Sequence, residues 1–417
     1  MAAHSEALDL FWGELHVGRL HNTQPLRFDY TQEWLANNQA NSLSPQLPLT
    51  QQRHSGDSVL AYFENLLPEG ELRRYIELRH HTTTVFGLLK SIGGDTASGY
   101  TLLPQGETPR PASYRKTDWE AINDFLHNET QGELTGQLAP QARISLAGAQ
   151  NKLLLMVLAD GSPALPEGAA PSSHILKPDI RGLKGVWCSA LNETLCMQLA
   201  AALGVAEATF QPQTRACLVK RYDRFYDEHG NLQRYHQLDI CQLAGTPSTL
   251  KYESDGGPGL IECRQLLQAA GVPAKDLLRF SQWFFFNLFI GNNDSHAKNL
   301  SILQTPQGVQ LAPFYDLMCT TLYSGLSNRF AFRVSGIDQP GSIERSHLAS
   351  LSQALGFKPA YFMSLGARLA DEILSVLPTV IEALQEVATP GTEHVLLERL
   401  SRRIKQNCQK MTKRWSV

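Results

Sequence analysis

The chain has no long hydrophobic run, no paired cysteines and no strong charge of either sign. Its most apolar stretch, Trp283 to Ile290, is too short to span a bilayer and carries Asn287 in its middle. The opening residues, MAAHSEALDLFW, hold neither a basic start nor an extended apolar core, so no signal peptide is expected. The seven cysteines, at 188, 196, 217, 241, 263, 319 and 408, stand singly, with no Cys-x-x-Cys among them. That pattern argues against a structural zinc site and suits reduced thiols in a cytoplasmic protein. A net charge of −3 and a pI of about 6.5 argue against a dedicated nucleic-acid binder, which would be basic. No internal repeat is found.

What is present is an ordinary globular composition over 417 residues, 42% hydrophobic and 18% charged, long enough for two or three domains. Leu8–Leu20 reads as a β-hairpin turning near Gly13, with Gly18 ending its second run. The prolines of Leu103–Ala112 mark a linker. Leu153–Leu158 and His174–Lys177 read as strands separated by a Gly/Pro/Ala-rich loop over 160–173, and Cys217–Tyr222 as another strand. Asn192–Gly204 has a helical apolar face with a glycine stop, and helical spacing dominates from about Gln237 onward, over 277–291, 345–355, 359–384 and 393–414. A β-rich front and a helical back is the layout of a two-lobed kinase, although many α+β proteins share it.

The segment Gly291-Asn-Asn-Asp-Ser-His-Ala-Lys-Asn299 carries the chemistry. Asp294 and Asn299 have the Asp-x-x-x-x-Asn spacing of a kinase catalytic loop, and Asp316 follows seventeen residues later in Pro313-Phe-Tyr-Asp316. Phosphoryl transfer needs one carboxylate aimed at the acceptor hydroxyl, and an amide oxygen and a second carboxylate to hold Mg²⁺ against the phosphates. Taken alone, Asp/Asn/Gly clusters usually make turns. Here the cluster follows a strongly apolar helix and precedes a short hairpin and Asp316, the order of catalytic and metal loops. His296 either supports the loop or is structural, and Lys298 either touches the transferring phosphate or is solvated. Lys177 ends a strand, where it either faces solvent or grips the α/β-phosphates and pairs with a helix glutamate. Glu193 is either that partner or an acid favouring the helix dipole. Ser145-Leu-Ala-Gly-Ala-Gln-Asn-Lys152 sits where a phosphate-covering loop belongs, though it is neither a Walker motif nor Gly-x-Gly-x-x-Gly. Lys220-Arg-Tyr222 stands where the lobes would join, with backbone groups for adenine and the Tyr222 ring to pack on it. The three glycines of Lys251–Gly259 are too particular to be filler, but their chemistry does not follow from the residues.

Together Ser145-Leu-Ala-Gly-Ala-Gln-x-Lys152, His174-Ile-Leu-Lys177, Asn192-Glu193, Arg221-Tyr-Asp-Arg224, His236-Gln237, Lys251–Gly259, Asp294-x-His-Ala-Lys-Asn299 and Pro313–Asp316 resemble the HipA family, with Tyr62–Pro68 resembling its N-terminal signature. These are serine/threonine-kinase toxins of bacterial type II toxin–antitoxin modules. The resemblance implies Asp294 as catalytic base, Asn299 and Asp316 as Mg²⁺ ligands, and Lys177 on the ATP phosphates. It also implies a phosphate loop of Ala147, Gly148, Ala149, Gln150, Asn151 and Lys152, and Ser145 as an autophosphorylation site that switches the kinase off. A small helix-turn-helix antitoxin (HipB-like) would be the partner, bringing DNA indirectly, and an aminoacyl-tRNA synthetase, glutamyl-tRNA synthetase in particular, the target. Asn151, Lys220, Leu238, Asn293 and Ser295 depart from common family residues without removing a catalytic group.

The expectation is therefore an α+β, two-lobed protein-kinase-like fold. It comprises an N-terminal β-rich subdomain over 1–108, a kinase N-lobe over 109–236 and an all-helical C-lobe over 237–417. Two rivals use the same residues: a small-molecule phosphotransferase, and a catalytically weak co-repressor acting with its antitoxin on DNA.

Overall fold

A computed structural model describes residues 6–128 and 152–416. The chain forms two compact units, each assembled from three stretches. Unit 1 takes residues 1–176, 221–249 and 303–308; unit 2 takes 177–220, 250–302 and 309–417.

Unit 1 is β-rich. Strands β1 (Ala7–Trp12), β2 (Leu15–His21), β3 (Arg27–Tyr30), β4 (Arg53–Ser55) and β5 (Thr101–Pro104) form an antiparallel sheet in the order β4-β3-β2-β1-β5. Gly13, at φ +56°, makes the β1–β2 turn. Gly18 does not end β2, which runs on to His21; a Cβ there would lie 2.4 Å from the Phe28 ring, so this glycine lets β3 approach. Helices Asp57–Glu64, Gly70–His80 and Val85–Ile92 complete this part. A second group of strands, β6 (Ser113–Lys116), β7 (Leu153–Val157), β8 (Pro163–Glu167) and β9 (His174–Lys177), pairs antiparallel as β6-β8, β8-β7 and β7-β9. Strand β8 lies inside the stretch that reads as a loop. Its prolines are tolerable because Pro163 opens the strand and β7 pairs only with Pro163 and Ala164, so Pro166 faces β6 alone.

A buried charge cluster also lies within unit 1. Asp95 takes Arg224 Nη2 at 3.0 Å, Arg234 Nε at 3.2 Å and the Ser172 hydroxyl at 2.9 Å. Asp223 takes Arg221 Nη2 at 2.7 Å and Arg224 Nη1 at 2.8 Å.

Unit 2 is mainly helical, but the stretch 237–417 is not all-helical as expected: Ser301–Thr305 and Gly308–Leu311 are strands, with β-branched Ile302 and Val309 and a turn at Gly308, φ +108°. The helix Ser189–Ala202 is buried along nearly its whole length, and the hairpin Ala208–Gln211/Ala216–Lys220 follows it. Helices Leu260–Ala269, Ala274–Ile290, Arg345–Ala354, Pro359–Val387 and Thr392–Trp415 supply the rest. The aromatic run of Ala274–Ile290 forms the core, with Phe285 against Phe362 at 4.7 Å and Phe289 against Trp415 at 5.9 Å between ring centres. Among the described residues no helix is long and apolar enough to cross a membrane.

Candidate active site

The helix Ala274–Ile290 stops at Gly291, whose φ of +75° is left-handed. A Cβ at Gly291 would meet Thr321 Oγ1 at 2.3 Å, so backbone and space both require glycine. The chain then enters the 292–299 loop, held by its own amides. Asn292 donates through its backbone N–H to Asn287 O at 2.8 Å and through Nδ2 to Asn287 Oδ1 at 2.8 Å and Asp316 O at 3.3 Å. Its Oδ1 accepts from the Asp294 N–H at 3.2 Å. Asn299 Nδ2 donates to Asp294 O at 3.0 Å, which closes the loop on itself and leaves the amide oxygen as the group able to ligate a cation. Asp294 is exposed, while every other residue from 291 to 300 is buried. The packed core thus presents one carboxylate outward, and the Tyr252 hydroxyl donates to its Oδ1 at 2.5 Å.

A second cluster in the same unit centres on Lys177. Its Nζ donates to Glu193 Oε1 at 2.6 Å and Asp316 Oδ1 at 2.8 Å. Burial by itself would lower the lysine pKa, but the Asp316 and Glu193 carboxylates outweigh it and hold the pKa above its ordinary value, so the ammonium stays charged. The helix bearing Glu193 begins at Ser189, which places Glu193 beyond the first turn and its dipole. Asp316 has φ +56° and keeps nearly half of its side chain exposed.

The remaining candidates fall as follows. His296 is buried, and desolvation, aided by Lys251 and Lys298, depresses its pKa well below the usual histidine value, so the ring is neutral at pH 7. Lys298 is buried, and its carbonyl accepts the Tyr315 hydroxyl at 2.6 Å. Lys220 is exposed and pairs with Glu207 at 2.6 Å. Tyr222 belongs to unit 1, as does half-buried Lys152, just ahead of β7. Ser145, Ala147, Gly148, Ala149, Gln150 and Asn151 lie outside the described residues. The structure therefore brings together Lys177, Glu193 and Asp316, and joins Asp294 and Asn299 to them through Asn292. Sequence reasoning missed Tyr252, Asn292 and the Asn192 clamp described below; for Tyr252 the only signal was its place in the glycine-rich Lys251–Gly259 segment.

Two family models match the chain: the HipA N-terminal domain over residues 8–98 and the HipA-like C-terminal domain over 144–389. The chain belongs to the HipA family. It is 36% identical over 346 residues to Y4mE of Sinorhizobium fredii, covering 78% of this chain and 80% of that one. It is 29% identical over 400 residues to the serine/threonine-protein kinase toxin HipA of Shewanella oneidensis, covering 90% and 89%. Its structure is similar to HipA in the Shewanella oneidensis MR-1 complex of HipA, HipB and operator DNA, with a TM-score of 0.81, 25% identity, and 97% and 99% of the two chains covered. The fold is thus the kinase-like α+β fold of HipA, and the N-terminal HipA match falls wholly within unit 1.

Proposed function

We propose that this HipA-family kinase transfers the γ-phosphoryl group of ATP to a serine or threonine of a protein, as the toxin of a type II toxin–antitoxin module. The observation that carries the reading is the Lys177 ammonium held between Glu193 and Asp316, at 2.6 and 2.8 Å, in the unit that also presents Asp294. In this reading Asp294 accepts the proton of the acceptor hydroxyl. Lys177, kept charged and fixed by Glu193, faces the α/β-phosphates. The Asp316 carboxylate and the Asn299 amide oxygen are hard oxygen donors suited to Mg²⁺. Among the described residues no group of three or more His, Cys, Asp or Glu forms a metal cage. Two oxygen donors fit an ion that completes its shell with phosphates and water. When bound, Mg²⁺ supplies charge neutralisation on the phosphates.

The phosphate loop is proposed as Ala147–Lys152, with His296 and Lys298 near the transferring phosphate and Lys220–Tyr222 along the adenine. Ser145 is the proposed autophosphorylation site; a dianionic phosphate beside that loop would compete with ATP for the same donors. The functional partition is 1–108, 109–236 and 237–417. The proposed target is a translation-related protein of the aminoacyl-tRNA synthetase class, such as glutamyl-tRNA synthetase. The proposed partner is a HipB-like helix-turn-helix antitoxin that links the toxin to operator DNA, in the cytoplasm. The similarity to a HipA solved with HipB and operator DNA supports this partner.

Intact and peptide mass spectrometry after incubation with ATP and Mg²⁺ tests the reading. Wild type should gain ~80 Da, the mass of one phosphoryl group, at Ser145. Asp294→Asn, or EDTA, should abolish the gain while the protein keeps its melting temperature. Phosphoryl transfer that persists in Asp294→Asn would remove Asp294 as the base. Phosphate found on a metabolite but never on protein would make the enzyme a small-molecule phosphotransferase.

A further inference from the structure

The Lys251–Gly259 segment has no part in the function above, yet it delivers a phenol to the proposed base. The Tyr252 hydroxyl donates to Asp294 Oδ1 at 2.5 Å, the short range of a charge-assisted O–H···O⁻ bond. Five further contacts fix where that phenol sits. The Lys251 carbonyl accepts from the Ala297 N–H at 3.2 Å, which ties the segment to the catalytic loop itself. Tyr252 O accepts from the Asp255 and Gly257 N–H groups at 3.1 and 3.0 Å. Glu253 Oε2 accepts from the Arg333 N–H at 2.7 Å. The Tyr252 ring meets His296 edge-on at 5.0 Å and 88°. The glycines make this tight turn possible: Gly256 has φ +95°, and a Cβ on Gly257 would fall 1.8 Å from Leu250 O.

A general base must hold its oxygen within about 2.6–3.2 Å of the proton donor. We infer that Tyr252 is a positioning residue for the phosphoryl-transfer reaction, clamping the Asp294 carboxylate by Oδ1 so that its plane is set before the acceptor hydroxyl arrives. The inference rests on the proposed role of Asp294 as base.

The test uses the full chain as wild type, Tyr252→Phe, Asp294→Asn and the double variant, and follows self-phosphorylation rates by mass spectrometry alongside KM for ATP and thermal melting. Phenylalanine keeps the ring on His296 and removes only the hydroxyl. Tyr252→Phe should lower kcat about 10- to 100-fold, the scale of a misplaced catalytic group. KM for ATP and the melting temperature should not change, and the double variant should be no slower than Asp294→Asn. A kcat within twofold of wild type, with Asp294→Asn inactive, overturns the inference and leaves the base in place. A kcat above wild type also overturns it, since the phenol would then be blocking the acceptor's position. Asp294→Asn as active as wild type would remove the base, and the positioning role with it.

Discussion

Asn192 grips Cys319 by both of its backbone groups. Its Oδ1 accepts from the Cys319 N–H at 2.9 Å, and its Nδ2 donates to the Cys319 carbonyl at 3.1 Å. The same Nδ2 donates to the Tyr323 hydroxyl at 3.1 Å. Asn192 immediately precedes Glu193, and Cys319 follows Asp316 by three residues. A fully buried amide thus registers the helix that carries the lysine's glutamate against the loop that carries its aspartate.

Asn192→Ala should strip a donor and an acceptor from Cys319 where no water reaches. Stability should fall by about 1–3 kcal/mol, the cost of leaving the buried Cys319 N–H unpaired, since the Cys319 carbonyl keeps the Leu322 N–H at 3.4 Å. Phosphoryl transfer should fall with it, because the distances from Lys177 to Glu193 and to Asp316 are then no longer set together. Urea titration and initial rates check this, and a stability change under about 1 kcal/mol would contradict the clamp.

Asp95 offers a test confined to unit 1. Burial alone would raise its pKa, but Arg234, Arg224 and Arg221 hold it well below the usual carboxylate range. Its charge therefore stabilises the fold above the ordinary carboxylate pKa, and that contribution is lost as acid protonates it. Asp95→Asn leaves Arg221 and Arg224 sharing the Asp223 carboxylate and Arg234 with the Ala169 carbonyl. The expected loss is about 3–5 kcal/mol, as for breaking a buried ion pair. Chemical denaturation at pH 7 measures it; a variant as stable as wild type would show that the cluster is held by packing alone.

His236 predicts a pH dependence. Burial depresses its pKa from 6.5 to about 4, opposed by its bond to the Leu43 carbonyl at 2.9 Å. Above the unfolded value the ring is neutral in both states. Between about pH 6.5 and 4 the unfolded chain takes up a proton that the folded chain refuses, so stability declines with acidification across that window. The full decline is on the order of 3 kcal/mol for this one group. Melts of wild type and His236→Gln at pH 7.5, 5.5 and 4.5 should show a flatter slope in the variant; equal slopes would assign the acid sensitivity elsewhere.

Legibility in the sequence followed the range of the interactions involved. The helix over 277–291 could be read because periodicity is a local property, and the structure bounds it at Ala274 and Ile290. Asp294, Asn299 and Asp316 could be singled out because their spacing is nearly all that the chemistry demands. Strand β8 was hidden because Pro163 and Pro166 read as loop residues until the strands beside them are known. The Tyr252–Asp294 bond joins residues forty-two positions apart, and nothing in either residue's neighbours signals it. Asn192 drew notice only as the residue beside Glu193, since its two-sided grip depends on where Cys319 arrives from far along the chain.

The division of each unit into three stretches bears on the order in which a ribosome delivers them. Unit 1 lacks part of itself until residues 303–308 have been made, and unit 2 waits for residues from 309 onward. Lys177 and Glu193 emerge early, without Asp316 to complete their contact. A nascent chain therefore holds Lys177 and Glu193 for a long stretch of its synthesis before Asp294, Asn299 and Asp316 exist. That arrangement delays assembly of the Lys177–Asp316 contact until the chain has passed residue 316.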